Sequence, residues 1–199
     1  MDDYFKKYKY SKLVLVGLIN QFYDYDITKQ QAEKLNIDYT DYDTMCDPFD
    51  RVNCVYHEYI PEGLYLWKIL EIDTPIITRT QIMELEKTIN FELFDEKKDY
   101  YIESKKFNII NLYMIKKYYS YSITKEYADR NKIEYDYELD EYQGIIEGIY
   151  HLCESAGEDA WNLFGFEKDF IPMSKIDKMI DQLQEELIEN KCKKLKLQK

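Results

Sequence analysis

Residues that break regular backbone are scarce in this sequence. Of 199 residues, only 6 are glycine and 4 are proline. Because these residue types punctuate helices and strands, their scarcity favours long helices over an architecture with many tight turns. Hydrophobic residues make up 45% of the chain, which excludes wholesale disorder. The expected fold class is therefore mostly α.

Long apolar runs are also missing, and no leader peptide is expected. The apolar run at residues 13–19 has seven residues, whereas a membrane-spanning helix needs about 20. The opening MDDYFKKYKY lacks the apolar core of a signal peptide. The four cysteines are therefore expected to be reduced, without a disulfide framework. They also lack the paired spacing of a zinc site, so neither a metal nor a cofactor is expected. These features predict a cytoplasmic protein that does not contact membranes.

Familiar catalytic motifs are absent as well. The sequence contains no nucleophile elbow, phosphate-binding loop, dinucleotide-binding fingerprint or zinc-protease motif. The stretch ITKQQAEKLNI at residues 27–37 is similar to the first helix of a helix-turn-helix. However, an acidic stretch follows where a basic recognition helix would be needed. We therefore expect no direct binding of nucleic acid and no enzymatic activity.

Negative charge and tyrosine are in excess. The formal net charge is −12, and 21 residues are tyrosine. Lysines gather at both ends of the chain, so residues 13–189 carry a formal charge of −19. Such a body repels phosphate backbones and attracts a basic protein surface. Tyrosine is enriched at protein interfaces, although biased codon usage also raises its number.

Two parts of the sequence match each other. Residues 13–40 and 109–136 align at an offset of 96, with nine of 28 positions identical. Further on the offset is 94, and there the motif Y-H-x5-G-x3-W occurs in both copies. The motif residues are Tyr56, His57, Gly63, Trp67, Tyr150, His151, Gly157 and Trp161. This pattern predicts an internally duplicated helical unit, which forms similar lobes at residues 1–98 and 99–199.

The helix expected first in each lobe is apolar, and in the first lobe it covers residues 12–23. Thr28 and Thr124 are N-cap candidates for the helices that follow. The last helix is expected to begin near Thr80 in the first lobe. In the second lobe it is longer, and Ser174 is expected to cap it.

A further helix is expected around each Y-H-x5-G-x3-W motif, at residues 52–70 and 142–164. Ten residues are almost three helical turns, so the histidine and tryptophan of each motif would share a face. Residues 90–104, between the lobes, are interpreted as a linker, with a short hairpin as the alternative.

The acidic, tyrosine-rich segment before each motif is the candidate contact surface. Its carboxylates and tyrosines would take the place of phosphates and bases in the groove of a nucleic-acid-binding protein. The candidate contact residues are Asp38, Tyr39, Asp41, Tyr42, Asp43, Glu134, Tyr135, Asp136, Tyr137 and Glu138. The resulting hypothesis is a non-enzymatic cytosolic binding or inhibitor protein. Immunity proteins against nuclease toxins and phage inhibitors of nucleic-acid-guided defence enzymes are its two concrete forms.

Two alternatives use other residues. A small enzyme or metal-binding protein would use His57 and His151 as acid–base groups or ligands. We instead interpret the repeated Tyr, His, Gly and Trp residues as packing positions, because a duplicated fold retains its core in both copies. A homodimeric structural protein would use the C-terminal helix. The residues on the apolar face of that helix are Ile176, Met179, Ile180, Leu183, Leu187 and Ile188.

Overall fold

The chain forms two compact units, each with its own antiparallel sheet. The computed structural model describes residues 2–44, 49–57, 67–68, 70–92, 95–151 and 155–197. The first unit comprises residues 15–95, and the second unit comprises residues 1–14 and 96–199. The predicted mostly α fold is wrong, because both units are mixed α/β. The predicted lobe boundary between residues 98 and 99 stays a prediction.

The first unit is built around a three-stranded sheet. Its described elements are helix α1 (Asp2–Phe22) from residue 15 onward, β1 (Asp24–Thr28), α2 (Lys29–Lys34), α3 (Asp41–Thr44), β2 (Arg51–Tyr56), β3 (Ile76–Thr78) and α4 (Arg79–Asn90). The strands lie in the order β1-β2-β3, and both pairs are antiparallel. Ile27, Ala32, Val52 and Cys54 form a buried cluster beneath α2.

The second unit is built around a four-stranded sheet. Its described elements are residues up to Val14 of α1, α5 (Tyr100–Tyr118), β4 (Ser120–Thr124), α6 (Lys125–Arg130), β5 (Glu141–Tyr142), β6 (Ile145–Tyr150), α7 (Ser155–Phe164), β7 (Phe170–Pro172) and α8 (Met173–Leu197). Strand β6 is central and pairs with β4, β5 and β7. Ala128, Ile146 and Phe170 form the buried cluster beneath α6.

Several elements of the first unit recur in the second unit in the same order. Strands β1 and β4 and helices α2 and α6 begin and end 96 residues apart. Strands β2 and β6, and likewise β3 and β7, are 94 residues apart. The sequence offsets of 96 and 94 residues therefore equal the spacings between corresponding strands and helices. The repeated unit contains strands as well as helices and is not purely helical.

The helices predicted at residues 52–70 and 142–164 are wrong near their starts, where residues 52–56 and 145–150 belong to strands β2 and β6. Both strands are short apolar stretches, and periodicity alone does not separate such a stretch from a piece of buried helix. The β5–β6 turn also escaped prediction. Its residues Gln143 and Gly144 have φ angles of 51° and 80°, as a two-residue hairpin turn requires.

Helix starts were predicted more accurately. Thr28 and Thr124 are confirmed as N-caps, since their hydroxyls accept hydrogen bonds from the backbone N–H of Gln31 and Tyr127. The helix predicted to begin near Thr80 is confirmed by α4, which begins at Arg79. The helix predicted at residues 12–23 exists as part of α1, but α1 begins ten residues earlier, at Asp2. Ser174 does not cap α8, because that helix already begins at Met173.

The connection between α4 and α5 contains no strand in its described residues. Helix α5 begins at Tyr100, so the last five residues of the predicted linker are helical. No helix in the described part of the chain has the length and apolarity that crossing a membrane requires.

Candidate functional site: two acidic segments

In each unit, the acidic segment follows a backbone turn of the same type. We define the first acidic segment as residues 38–43 and the second as residues 134–140. Before each segment, a left-handed residue ends the preceding helix: Asn36 and Lys132 both have φ 52°. The N–H of Ile37 then donates to the carbonyl of Ala32, and that of Ile133 to the carbonyl of Ala128, both at 2.9 Å. Each segment therefore leaves its helix in a fixed direction.

A half-buried tyrosine attaches each segment to the core of its unit. Tyr39 packs against the buried cluster of the first unit, and Tyr135 against that of the second. The Tyr135 hydroxyl donates to Oδ1 of Asp129 at 3.1 Å. Desolvation, followed by hydrogen bonding with Tyr137 and Asp129, raises the pKa of the Tyr135 hydroxyl. This hydroxyl is therefore a donor that stays protonated.

A buried aspartate clamps the first acidic segment to helix α4. Asp43 is 2% exposed, and its carboxylate accepts hydrogen bonds from the backbone N–H groups of Thr40 and Thr80, both at 2.9 Å. The hydroxyls of both threonines also lie 3.1 Å from Oδ2. Asp43 was a predicted contact residue, but its carboxylate is occupied inside the unit.

Asp140 plays the same part in the second unit. It is 1% exposed and accepts from the backbone N–H groups of Asp136 and Ser174, both at 2.7 Å. The Ser174 hydroxyl donates to Oδ2 at 2.6 Å. Sequence reasoning missed Asp140 as a structural group. The available signal was the 94-residue offset that aligns Thr80 with Ser174, since both hydroxyl residues open the last helix of their unit.

The other charged and aromatic members of the segments point outward. In the first segment Asp38, Asp41 and Tyr42 are exposed. In the second segment Glu134, Tyr137 and Glu138 are exposed, and Asp136 is partly exposed. Within the described residues, four of these carboxylates form no ion pair: those of Asp38, Asp41, Glu134 and Glu138. Asp136 differs, because its carboxylate lies 3.9 Å from the ammonium of Lys178.

The second acidic segment forms one wall of an open groove of about 920 Å³. The opposite wall comes from residues 165–172 and from the start of α8. Carboxylates of Glu134, Glu138 and Glu167 line the groove together with the ammonium groups of Lys175 and Lys178. The groove is thus mixed in character: one wall is acidic and aromatic, and the other carries lysines and apolar residues. Its opposite wall was not anticipated from the sequence, because residues distant along the chain compose it.

The acidic charge is unevenly divided between the units. The sequence of the first unit has 16 Asp and Glu residues and 6 Lys and Arg residues, a formal charge of −10. The second unit therefore carries only −2 of the total of −12. A basic partner would be attracted mainly by the first unit, while the second offers the shaped groove.

The histidine and tryptophan of each motif meet through tertiary packing. His57 and Trp67 have ring centroids 5.3 Å apart, and His151 and Trp161 are 5.0 Å apart. Each histidine also stacks on the tyrosine that precedes it, and each indole N–H donates to a backbone carbonyl. The predicted single helix carrying both residues is wrong, since each histidine directly follows a strand. Gly157 lies buried in α7, and Gly63 lies outside the described residues.

The potential metal ligands do not gather into a site. In the described part of the chain, no three His, Cys, Asp or Glu side chains lie close enough to share a metal ion. Cys54 is fully buried, and burial raises the pKa of its thiol to about 12. Nε2 of His151 lies 3.0 Å from Oδ1 of Asp169, whereas the first unit has Pro75 at the equivalent position. Cys153 lies outside the described residues.

Comparison of the chain with protein-family models, curated proteins and solved structures finds no significant match.

Proposed function

We propose that this chain is a non-enzymatic cytosolic binding or inhibitor protein. Its two acidic segments engage the basic surface of a partner protein that itself binds nucleic acid. An immunity protein and a phage anti-defence inhibitor are its two forms. The observation that supports the proposal is the buried aspartate in each unit, which fixes a segment that still exposes two carboxylates and one tyrosine. These exposed residues are Asp38, Asp41 and Tyr42 in the first segment and Glu134, Tyr137 and Glu138 in the second.

Rigid presentation favours binding, because segments that are already ordered lose less conformational entropy on association. Exposed tyrosine also suits a basic partner, since its ring face attracts ammonium and guanidinium groups. Tyr137 illustrates this within the chain: the Lys125 ammonium lies 4.7 Å from its ring centroid, while the side chain remains 63% exposed. A lysine or arginine of a partner would be received in the same way.

The partner can be captured by photo-cross-linking from Tyr42 and Tyr137, each replaced in turn by a photoreactive phenylalanine analogue. The matched control position is Tyr113, which is also exposed but lies on α5. We expect a protein with a basic surface to be captured from both segment positions and not from the control. Equal capture from Tyr113, or capture of an acidic protein, would contradict the proposal.

The captured protein is then purified, and its affinity for this chain is compared with its affinity for variants of this chain that lack selected carboxylates. Asp38→Asn/Asp41→Asn and Glu134→Gln/Glu138→Gln remove two exposed carboxylates from each segment. Asp181→Asn/Glu185→Gln removes two exposed carboxylates from α8 and is the matched control. Both segment variants should weaken binding far more than the control variant does. An equal loss of affinity in all three variants would show that binding depends only on net charge and not on the acidic segments.

An enzyme or metal-binding protein is the second candidate, favoured by the contact between His151 and Asp169. Metal analysis of the purified protein, together with partner binding by a His57→Ala/His151→Ala variant, separates the two candidates. Stoichiometric metal, or loss of function in a variant of unchanged stability, would favour the second candidate over the first.

A further inference from the structure

The edge strands of the two sheets expose their backbones in the same pattern. Strands β1 and β4 each lie at one end of their sheet's strand order. The N–H of Tyr150 donates to the carbonyl of Tyr119, and the N–H of Lys125 to the carbonyl of Gly144. In an antiparallel pair such bonds recur at every second residue. The backbone groups of Ser120, Ser122 and Thr124 therefore point away from β6.

The same reasoning applies to β1, where the outward backbone groups belong to Asp24, Asp26 and Thr28. This edge is obstructed. Its two aspartates carry charge and form ion pairs with Arg79 and Arg51. The outward N–H of Thr28 is already occupied, because it donates to the side chain of Gln31 at 2.9 Å. Charged side chains on an edge strand are a common way to prevent pairing with another strand.

The edge of β4 lacks both obstructions. Serines occupy the two positions where β1 has aspartates. Tyr127 stands where the first unit has Gln31, so the capping side chain that would occupy the Thr124 N–H is missing. Within the described part of the chain, the outward N–H groups of Ser122 and Thr124 donate no hydrogen bond.

A groove of about 800 Å³ includes residues of β4 and extends to β6 and β7. It is lined by residues 121–124 of β4 and by Tyr127 and Asn131. Tyr150 and Phe170 contribute further aromatic surface, and Glu167 and Asp169 contribute carboxylates. Lys168 also lines the groove, and its ammonium donates to the carbonyl of Lys132 at 3.3 Å. Side chains alternate between the two faces of a strand, so every second side chain of an added strand would enter the groove.

We infer that the edge of β4 receives an extended, basic segment of a partner protein, which pairs with it as an additional strand. Backbone hydrogen bonds would hold the segment, and its lysine or arginine side chains would meet the tyrosine rings and carboxylates of the groove. A second copy of this chain is a poorer occupant, because each copy carries a net charge of −12. The inference deepens the proposed function and rests on it only for the basic character of the partner.

The test uses a synthetic heptapeptide of alternating lysine and valine as the probe, with the full-length protein. Nuclear magnetic resonance reports both its affinity and the hydrogen-exchange protection of individual amides. We expect new protection at Ser122 and Thr124. A heptapeptide of alternating glutamate and valine is the control, and it should bind at least about tenfold more weakly.

Two variants leave the net charge unchanged but obstruct the edge. Ser122→Pro removes one outward N–H, and proline is tolerated on edge strands. Tyr127→Gln supplies the capping side chain that β1 has, which would occupy the N–H of Thr124. Each variant should weaken binding of the probe about tenfold, the effect of losing one or two backbone hydrogen bonds. Since Tyr127→Gln imitates a sequence that folds in the first unit, it is informative even if Ser122→Pro fails to fold.

Three outcomes would overturn the inference: no binding of the probe, protection confined to other amides, or unchanged affinity in the folded variants. Self-association through β4 would also overturn it, by showing that a second copy is the occupant. Failure here leaves the proposed function intact if the neutralised acidic segments still weaken binding of the captured partner. If instead the probe binds at β4 as expected but neutralising the acidic segments leaves partner binding unchanged, the strand-edge inference stands and the role of the acidic segments is contradicted.

Discussion

Asp140 and Ser174, 34 residues apart in the chain, are joined by two hydrogen bonds: the backbone N–H of Ser174 donates to Oδ1 at 2.7 Å, and its hydroxyl donates to Oδ2 at 2.6 Å. Asp43 and Thr80 form the equivalent pair in the first unit. Each pair joins an acidic segment to the first turn of the unit's last helix. A carboxylate at a helix N-terminus satisfies amides that have no partner within the helix and interacts favourably with the helix dipole.

Replacing either buried aspartate by alanine should destabilise its unit. Asp140→Ala and Asp43→Ala are each expected to lower the free energy of unfolding by about 2–3 kcal/mol, because several buried donors lose a charged acceptor. The measurement is urea denaturation followed by circular dichroism. The neighbouring exposed residues supply controls: Glu138→Ala and Asp41→Ala should each change it by less than about 0.5 kcal/mol. Equal effects at buried and exposed positions would show that the aspartates do not clamp the segments.

A close contact at Gly148 predicts a coupled pair of substitutions. A Cβ atom at this position would lie 2.4 Å from the carbonyl oxygen of Ile171 and 2.5 Å from the ring of Phe170. In the first unit the equivalent positions hold Cys54, which is larger than glycine, and Ile76, which is smaller than phenylalanine. Ile76 packs against the buried cluster that contains Cys54. Gly148→Cys should lower the free energy of unfolding by about 1–3 kcal/mol through overpacking.

Adding Phe170→Ile to Gly148→Cys should recover part of that loss, since it restores the combination found in the first unit. Phe170→Ile alone is the necessary control, because it opens a cavity next to glycine. A double-mutant cycle of thermal or urea unfolding measures the coupling. Strict additivity of the two single effects would show that the two positions do not compete for the same space.

Cys54 should resist thiol reagents in the native protein. The side chain is fully buried, and burial raises the pKa of the thiol to about 12, so the reactive thiolate is scarce at mildly alkaline pH. Alkylation with iodoacetamide, followed by peptide mass spectrometry, should label Cys54 only after denaturation. Rapid labelling in the native state would mean that β2 is solvent-accessible.

The ion pair between Lys105 and Glu186 predicts a pH dependence of stability. A hydrogen bond from Lys105 lowers the pKa of Glu186, although desolvation opposes this shift. Because the pKa is lower in the folded state, the stabilisation is present above the ordinary glutamate range and is lost as the pH falls through the lowered pKa. Wild type should therefore exceed Glu186→Gln in stability at neutral pH, and the difference should vanish in acid. A difference that does not vary with pH would assign the effect to packing of α8.

Helix starts could be predicted from the sequence because their causes are local. Thr28 and Thr124 cap helices through their own side chains, so a hydroxyl residue before a helical pattern was sufficient. Ser174 failed as a cap because the acceptor that serves this helix start, Asp140, lies 34 residues away. Local patterns carry no information about a partner supplied from that distance.

The strands escaped prediction for a different reason. Val52–Tyr56 and Ile145–Tyr150 are short apolar runs next to helix-like sequence, and β7 has only three residues. Their strand conformation depends on pairing with residues far along the chain, which periodicity does not reveal. The same limit applied to Asp43: its sequence neighbours are acidic and exposed, so only the tertiary contact with Thr80 distinguishes it.

The salt dependence of binding tests most directly whether the exposed carboxylates of the acidic segments hold the partner. The dissociation constant for the purified partner, identified by cross-linking, is measured from low to high salt. Wild type is compared with the variant that combines Asp38→Asn, Asp41→Asn, Glu134→Gln and Glu138→Gln. We predict that wild type weakens steeply with salt, and that the combined variant binds weakly with a much shallower slope. Matching slopes and affinities for the two proteins would contradict the proposed function.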